Sequence, residues 1–423
     1  MKKYLSFFLV LIVALLSFVG CSKEKDNNSG VKKDESNKIT FMIPDWGAPT
    51  QEMLNEFKKE SGITVKVQPT SWDDIRDKVS IAAAGKKVAA DIFEVDWSWV
   101  GEFKSAGWLM PIEMDKKDIE DMPTIKSFTV DDKIYALPYA NDFRIAYYNK
   151  DQFAKAGIQG EPQTWDAVEN GCKALKDNNI VKYPFSIPLG ADENATTSFI
   201  WLAYTRNEVI FNNDNTLNKE SALDALTLID KLNKAGYINP ANRTSNGMTA
   251  YKQLTNGEAS FMVGPSSFVS RVNNPKESKV VDQVEPIMIP GKTGKAKVTV
   301  PYAEGIGISS FTKNPKACEK FVKWYTSPET QIKLNEELNT MPTRTDVLKK
   351  LIDEGKIKNA GALLEEAKIV KSPFPNGVPK YYTKMSTEIF NTINQMVNGK
   401  LTPEQAVDQM ANKVDALAKE NAE

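Results

Sequence analysis

The residues best suited to chemistry are tryptophans that stand near carboxylates, at places where short apolar runs end. Asp45 and Trp46 follow one such run, Asp96 and Trp97 follow another, and Trp72 comes shortly after a third. An indole ring offers a large, flat apolar surface, and a carboxylate accepts strong hydrogen bonds from hydroxyl groups. This combination suits a sugar, which has an apolar face of C–H bonds and hydroxyl groups around its edge.

The composition excludes several other kinds of site. The chain of 423 residues contains no His, so it has neither a Ser-His-Asp or Cys-His nucleophile nor an imidazole-ligated metal. Lys and Arg total 54 and Asp and Glu total 55, so the chain lacks the basic excess typical of nucleic-acid-binding proteins. A glycoside hydrolase that uses two carboxylates needs no His, and composition leaves that class open.

The elements that must position these side chains are alternating strands and helices. Apolar or alternating runs predict strands near residues 39–43, 63–67 and 91–95, and helical spacing predicts helices near 49–59 and 73–84. This alternation indicates an α/β fold with a largely parallel sheet. Ligands of such sheets bind beyond the carboxyl ends of the strands, which is where the tryptophan and carboxylate pairs stand.

The N-terminus has the pattern of an export signal. Two lysines precede an apolar run over residues 4–19, and Gly20 then precedes Cys21. The run is too short for a membrane span and fits a secretory signal peptide over residues 1–20. The residues before Cys21 resemble a bacterial lipobox, although Phe18 stands where that pattern prefers Leu, and the resemblance implies that Cys21 is lipidated. Residues 21–37 are polar and charged, which predicts a flexible tether.

Two further cysteines, Cys172 and Cys318, are flanked by residues with helical spacing. An exported protein can join two such residues in a disulfide. We favour two buried free thiols, since free Cys behaves as a small apolar side chain.

Four stretches of the chain, in order and spacing, cover nearly all of residues 38–423. They lie at residues 91–112, 135–166, 257–265 and 317–344. Together they resemble bacterial extracellular solute-binding proteins of the sugar-binding type, the receptor subunits of ABC importers, whose familiar members bind maltodextrin. No single stretch is decisive, but the ordered set is specific.

The resemblance implies a periplasmic-binding-protein-like fold with two α/β lobes, a ligand cleft between them and a hinge of crossing segments. The crossings are expected near Tyr147, Tyr302 and Pro342. One lobe then contains residues 38–146 plus 302–341, and the other contains 147–301 plus 342–423. Hinge closure around a ligand that touches both lobes would be the basis of function.

The same resemblance extends the set of candidate ligand-binding residues. Relatives place an acid or amide at the position of Asp142, and Trp201 stands where the second lobe should meet the cleft. Relatives often carry a sugar-stacking Trp after the Gly-Pro pair; Ser266 stands there in this chain, and we expect Phe268 to substitute. Residues near the later crossings complete the set, which is Trp46, Trp72, Asp96, Trp97, Asp142, Trp201, Phe268, Tyr302, Glu304 and Arg344.

The function implied is that of a monomeric receptor, lipid-anchored at Cys21 on the outer side of the cell membrane. It would capture an oligosaccharide and deliver it to ABC transporter permease subunits, with no catalysis, metal or other cofactor and no nucleic-acid partner. Another polar solute, such as a polyol or a glycerophosphodiester, stays open as the ligand. A secreted glycoside hydrolase is the alternative from a different class.

Overall fold

A computed structural model describes residues 37–358 and 360–422 of the chain. The predicted signal peptide over residues 1–20, the lipidation site Cys21 and all of the predicted tether except Asn37 lie outside the described residues. No helix of the described part combines the length and the apolar character that a membrane span requires.

Eleven strands are present in this part of the chain, in two larger sheets and one hairpin. Their bounds are β1 (Lys38–Ile43), β2 (Thr64–Pro69), β3 (Ile92–Asp96), β4 (Thr129–Val130), β5 (Lys133–Ile134), β6 (Leu137–Asn141), β7 (Arg144–Asn149), β8 (Phe185–Ser186), β9 (Phe261–Pro265), β10 (Val284–Ile287) and β11 (Ala303–Ile308).

The helices surround these sheets and make up most of the C-terminal third. They are α1 (Gln51–Ser61), α2 (Trp72–Ala84), α3 (Val100–Ser105), α4 (Lys116–Asp121), α5 (Lys150–Lys155), α6 (Trp165–Asp177), α7 (Glu193–Asn207), α8 (Lys219–Lys234), α9 (Gly247–Thr255), α10 (Phe268–Arg271), α11 (Pro315–Tyr325), α12 (Pro328–Leu338), α13 (Thr345–Asp353), α14 (Gly361–Lys368), α15 (Tyr382–Val397) and α16 (Pro403–Glu420). Short 3₁₀ helices lie at Asp45–Gly47, Pro123–Phe128 and Pro240–Arg243.

The first sheet has the strand order β2-β1-β3-β11-β6. Strand β1 pairs in parallel with both β2 and β3, and helices α1 and α2 supply the crossovers that parallel strands need. The predicted α/β character and the first three strands are confirmed. Strand β11 inserts antiparallel between β3 and β6, so the sheet is mixed rather than largely parallel.

The second sheet has the strand order β10-β7-β9-β8. Strand β7 runs antiparallel to β10 and β9, while β8 and β9 are parallel. Strands β4 and β5 form a separate hairpin that turns at Asp131 and Asp132. Both turn residues have positive φ, 49° and 58°, as a two-residue hairpin of the primed type requires.

The chain passes between the two sheets at defined places. It leaves the first sheet after β6 and enters the second at β7, so this passage lies at residues 142–143. Tyr147, where we expected it, lies inside β7. The return passage precedes β11 and includes Tyr302, as expected. The exact lobe ranges given above stay a prediction.

Buried aromatic and aliphatic side chains fill the space behind both sheets. Trp165 is almost fully buried, as its helical position predicts, and Trp324 and Trp108 are partly buried against core clusters. Cys172 on α6 and Cys318 on α11 are both buried free thiols. The prediction of two unpaired cysteines is therefore confirmed.

We predict that Gly307→Ala in β11 lowers the free energy of unfolding by about 1–3 kcal/mol, because overpacking a filled core forces neighbours to shift. An added Cβ would stand 2.5 Å from Leu109 Cδ2 and 2.9 Å from Val95 Cγ2. Urea denaturation measures the change. Gly294→Ala is the control, since no atom lies within 4 Å of a Cβ there. Equal stability of the two variants would contradict the packing argument.

Candidate ligand-binding site

A cavity of about 530 Å³ opens where strands of both sheets end. Its wall includes Asp96 at the end of β3, Asn141 at the end of β6 and Pro265 at the end of β9, together with residues from α2, α7 and α9. This volume lies within the range of about 300–1,000 Å³ that is common for small-molecule sites. The cavity is therefore the candidate site. It lies at the ends of strands, where ligands of open α/β sheets bind.

The structure brings seven of the ten residues proposed from the sequence to this cavity. They are Trp46, Trp72, Asp96, Trp97, Asp142, Phe268 and Glu304.

The other three lie elsewhere, and each has a structural reason. Trp201 is 1% exposed and stacks on Trp165 inside the core, with ring centroids 6.1 Å apart. Tyr302 is also buried and lies behind the wall, where it stacks on Trp97 at 4.5 Å. These two expectations of ligand contact are corrected: Trp201 packs the core, and Tyr302 supports a wall residue.

Arg344 is the third correction, because its guanidinium is occupied by protein partners. Arg344 Nη1 donates to Asp118 Oδ1 at 2.7 Å and to Asp121 Oδ2 at 3.1 Å. Arg344 Nε donates to the Thr326 carbonyl at 2.7 Å. This ion pair ties α4 to the segment after α12 and leaves Arg344 no part in the cavity wall.

The aromatic rings of the wall differ in exposure. Trp46 is 39% exposed and stacks on Tyr139, with centroids 6.2 Å apart. Its place follows from the local sequence, since Pro44 ends β1 and the 3₁₀ helix Asp45–Gly47 turns the ring outward. Trp72 opens α2 and packs on Trp99 at 4.8 Å. Trp46 therefore keeps a free face, which a ligand ring can cover.

Asp96 lies deep in the wall, where it accepts hydrogen bonds from Ser98. The Ser98 backbone N–H donates to Asp96 Oδ1 at 2.8 Å, and the Ser98 hydroxyl donates to the same atom. Burial raises the pKa of Asp96 to about 7 despite these bonds, and the nearby Asp142 charge adds to the rise. Asp96 therefore changes charge near neutral pH.

Glu304 and Glu94 form a buried carboxyl pair beside Asp96. With both groups ionised, Glu304 Oε2 and Glu94 Oε1 have no partner among the described residues. Burial raises the pKa of Glu304 well above its usual value and that of Glu94 to about 8. A proton on Glu304 then bonds it to Glu94, while Tyr139 donates to Glu94 Oε2 at 2.9 Å.

Asp142 forms an ion pair with Arg144, the first residue of β7. Arg144 Nη1 donates to Asp142 Oδ2 at 2.7 Å, and the guanidinium lies 4.9 Å over the Tyr302 ring. Arg144 Nε and the Tyr251 hydroxyl are buried in the cavity wall with no partner among the described residues. Burial raises the pKa of Tyr251 and the charge of Arg144 lowers it, so the two side chains lie together in the wall.

The second-sheet side of the cavity contributes Asp192 and Glu193, which sequence reasoning missed. Asp192 caps α7 by accepting from Asn194 N at 2.8 Å. Glu193 accepts from the Tyr382 hydroxyl at 2.5 Å and from Ser386. Burial raises the pKa of Glu193 to about 8. The polar residues at the start of α7 signal a helix cap, but no local pattern places them in the cavity.

Met248 and Arg271 also lie in the wall without having been predicted. Met248 is 40% exposed on α9, and Arg271 ends the short helix α10. No motif marks either residue, because each reaches the cavity through packing of elements distant in sequence. Among the described residues, no group of three or more Cys, Asp or Glu could hold a metal ion.

Comparisons with known proteins agree with this architecture. The model of the family described as bacterial extracellular solute-binding protein matches residues 43–332. A galactooligosaccharide-binding protein of Bacillus subtilis is 22% identical, and the match covers 97% of this chain and 96% of the relative. A maltodextrin-binding protein of the same organism is also 22% identical, covering 98% and 97%.

Solved structures show the same fold. Maltose-bound MalE3 of T. maritima is 22% identical with a TM-score of 0.77, covering 90% of this chain and 99% of that chain. A solute-binding protein of Agrobacterium radiobacter in complex with ribitol is 18% identical with a TM-score of 0.80, covering 90% and 98%. At these identities the likeness establishes the two-lobe binding-protein fold.

We predict that stability falls as pH rises, and that Glu193→Gln makes this fall shallower. The pKa of Glu193 is about 8 in the folded chain against an ordinary value of 4.5. Between these values the folded state binds more protons than the unfolded state, so the free energy of unfolding decreases with pH. Urea titrations across this range measure the slope.

The control for this prediction is Glu113→Gln, which replaces an exposed loop residue. Because that side chain meets solvent in both states, its replacement leaves the slope unchanged. A wild-type free energy of unfolding that rises across the same range would contradict the assignment.

Proposed function

The chain belongs to the bacterial extracellular solute-binding proteins, and on that basis we propose that it captures an oligosaccharide and delivers it to an ABC transporter permease. The observation that carries the proposal is the cavity wall, where tryptophan rings alternate with carboxylates. Relatives named for galactooligosaccharide and maltodextrin binding support the same ligand class.

The wall supplies what a neutral sugar needs. Trp46 and Trp72 offer apolar surface for C–H faces, with the largely buried Trp97 beside them, and Asp96 and Asp142 offer acceptors for hydroxyl groups. Several rings in one cavity favour a ligand with several sugar units over a monosaccharide. Unpartnered polar atoms in the wall, such as the Tyr251 hydroxyl, favour a ligand that hydrogen-bonds, because leaving them buried alone is costly.

The cavity and the relatives argue against the other ligands and the enzyme class that the sequence left open, each for a different reason. A glycerophosphodiester would need a free cation, and both arginines of the wall already pair with protein carboxylates. A polyol is smaller and would leave part of the aromatic surface uncovered, although a ribitol complex occurs among the similar structures. A glycoside hydrolase is disfavoured by the family, whose matched relatives are named as binding proteins.

Delivery depends on closure of two lobes around the ligand. A ligand stabilises the closed form only to the extent that it binds that form more tightly than the open one. Trp46, which precedes α1, and Met248 on α9 are both exposed at the cavity. We infer that ligand-driven closure covers both side chains and that the permease recognises the closed form.

We further propose that the receptor is a monomer held at the outer face of the cell membrane by lipid on Cys21. The polar residues 22–37 would then act as a tether. One acyl chain binds a membrane weakly and two signals bind it firmly, so several chains on Cys21 would make attachment stable.

We predict that Trp46→Ala weakens oligosaccharide binding about tenfold or more, which corresponds to about 1.4 kcal/mol. The loss reflects the removed stacking surface, and the partly exposed position should leave the fold intact. Calorimetry against malto-, xylo-, cello- and manno-oligosaccharides measures the affinity, and recovery of unchanged sugar separates binding from hydrolysis.

Trp46→Phe should keep part of this affinity, and Ile81→Ala, which lies on α2 outside the cavity and is 74% exposed, should keep all of it. Wild-type affinity in Trp46→Ala would remove this ring from the site. Asp142→Ala is a poor test, because it leaves the buried Arg144 without its partner.

We predict that Cys21→Ser shifts the protein from the membrane fraction to the medium without changing its ligand affinity. The reason is that the thiol is the point of lipid attachment and lies far outside the ligand-binding residues in sequence. Fractionation of cells followed by immunoblotting measures the shift. A variant that stays in the membrane fraction would show that something other than Cys21 holds the chain there.

A further inference from the structure

The charges around the cavity are unbalanced. Six carboxylic side chains line it but only two cationic ones do. The acids are Asp73, Asp96, Asp142, Asp192, Glu193 and Glu304, and the cations are Arg144 and Arg271.

Both cations are already engaged by protein groups. Arg144 pairs with Asp142 at 2.7 Å. Arg271 pairs with Glu277 at 2.9 Å and lies 5.6 Å from the centre of the Phe268 ring. Within the described residues, Asp142 is the only one of the six acids that forms an ion pair. The wall therefore has no cation free for a ligand anion and five carboxylic groups without a cationic partner.

The unpaired acids come from opposite sides of the cavity. Asp73 is on α2, which packs on the first sheet, and Asp192 caps α7, which follows the second-sheet strand β8. The pKa of Asp192 is raised by burial and also by the charge of Asp73. Asp96 on β3 likewise raises the pKa of Glu193. Carboxyl groups from the two sides of the cavity therefore lie close enough to raise one another's pKa.

Closing the empty cavity with these carboxyl groups ionised would bring like charges together. Two carboxylates brought together from opposite walls repel each other, and burial strengthens the repulsion. A cation between them would turn this repulsion into attraction. A divalent metal fits poorly, because within the described residues no three ligating side chains converge. Aromatic faces, which line the same cavity, attract ammonium groups.

We propose that the oligosaccharide carries a protonated amino group, which binds between the carboxylates of Asp73 and Asp96 on one wall and those of Asp192 and Glu193 on the other. This inference rests on the proposed function and narrows its ligand class to amino sugars. It assigns the acids a role in selecting the ligand as well as in accepting hydrogen bonds from hydroxyl groups.

Calorimetry with two matched pairs of probes tests the proposal. The first pair is a glucosamine oligomer and its N-acetylated counterpart of the same length, which lacks the charge. The second is acarbose, an α-linked oligosaccharide analogue with a bridging amine, and maltotetraose. We expect the cationic member of at least one pair to bind about tenfold or more tightly than its neutral partner, and this preference to shrink with added salt.

Asp73→Asn should reduce the affinity for the cationic probe about tenfold and that for the neutral probe by clearly less, because an amide still accepts hydrogen bonds from hydroxyl groups but carries no charge. Asp77→Asn is the matched control. It removes the same charge from the same helix at a position that is 71% exposed and outside the cavity, and it should change neither affinity.

The outcomes separate this inference from the proposed function. Neutral oligosaccharides that bind as tightly as cationic ones, or more tightly, would overturn the amino-sugar inference and leave the oligosaccharide receptor standing. Failure of every probe, together with failure of the neutral oligosaccharide panel, would overturn both.

Discussion

Three segments that are distant in sequence hydrogen-bond to one another beside the cavity, and the site depends on these bonds. Asn141 N donates to the Met341 carbonyl at 2.8 Å, and Asn141 Nδ2 donates to the Pro342 carbonyl at 2.7 Å. Asp142 N donates to the Tyr302 carbonyl at 2.9 Å. Because these backbone groups are satisfied only when the segments lie side by side, the bonds set how the two sheets meet. The lobe closure proposed above would pivot around this junction.

A series of contacts that begins at this junction positions residues of the cavity wall. Arg144, three residues after Asn141, pairs with Asp142 and covers the ring of Tyr302. Tyr302 in turn stacks on Trp97, which lies in the cavity wall. Trp97 is thus held in the cavity wall by a ring that lies behind it, which fixes its position as a precise site requires. Burial also raises the pKa of Asp96, Asp142 and Glu304.

Much of this arrangement could be predicted from local sequence, and the rest could not, for physical reasons. Apolar runs that end at Asp45 and Asp96 mark strand ends, so the candidates beside them reached the cavity. Trp201 was misplaced because α7 is buried on nearly all sides, and a helix without a polar face does not reveal which side meets a ligand. Asp192 and Glu193 reach the site through long-range packing, which no local pattern encodes.

The antiparallel insertion of β11 also has a consequence for how the molecule is made. Its neighbours β3 and β6 are synthesised long before it. They do not pair with each other, and only β11 joins them in the sheet. The nascent chain therefore exposes two unpaired strand edges until residue 308 has emerged. Pairing that waits for distant partners is slow, so the first sheet is completed only after most of the chain has been synthesised.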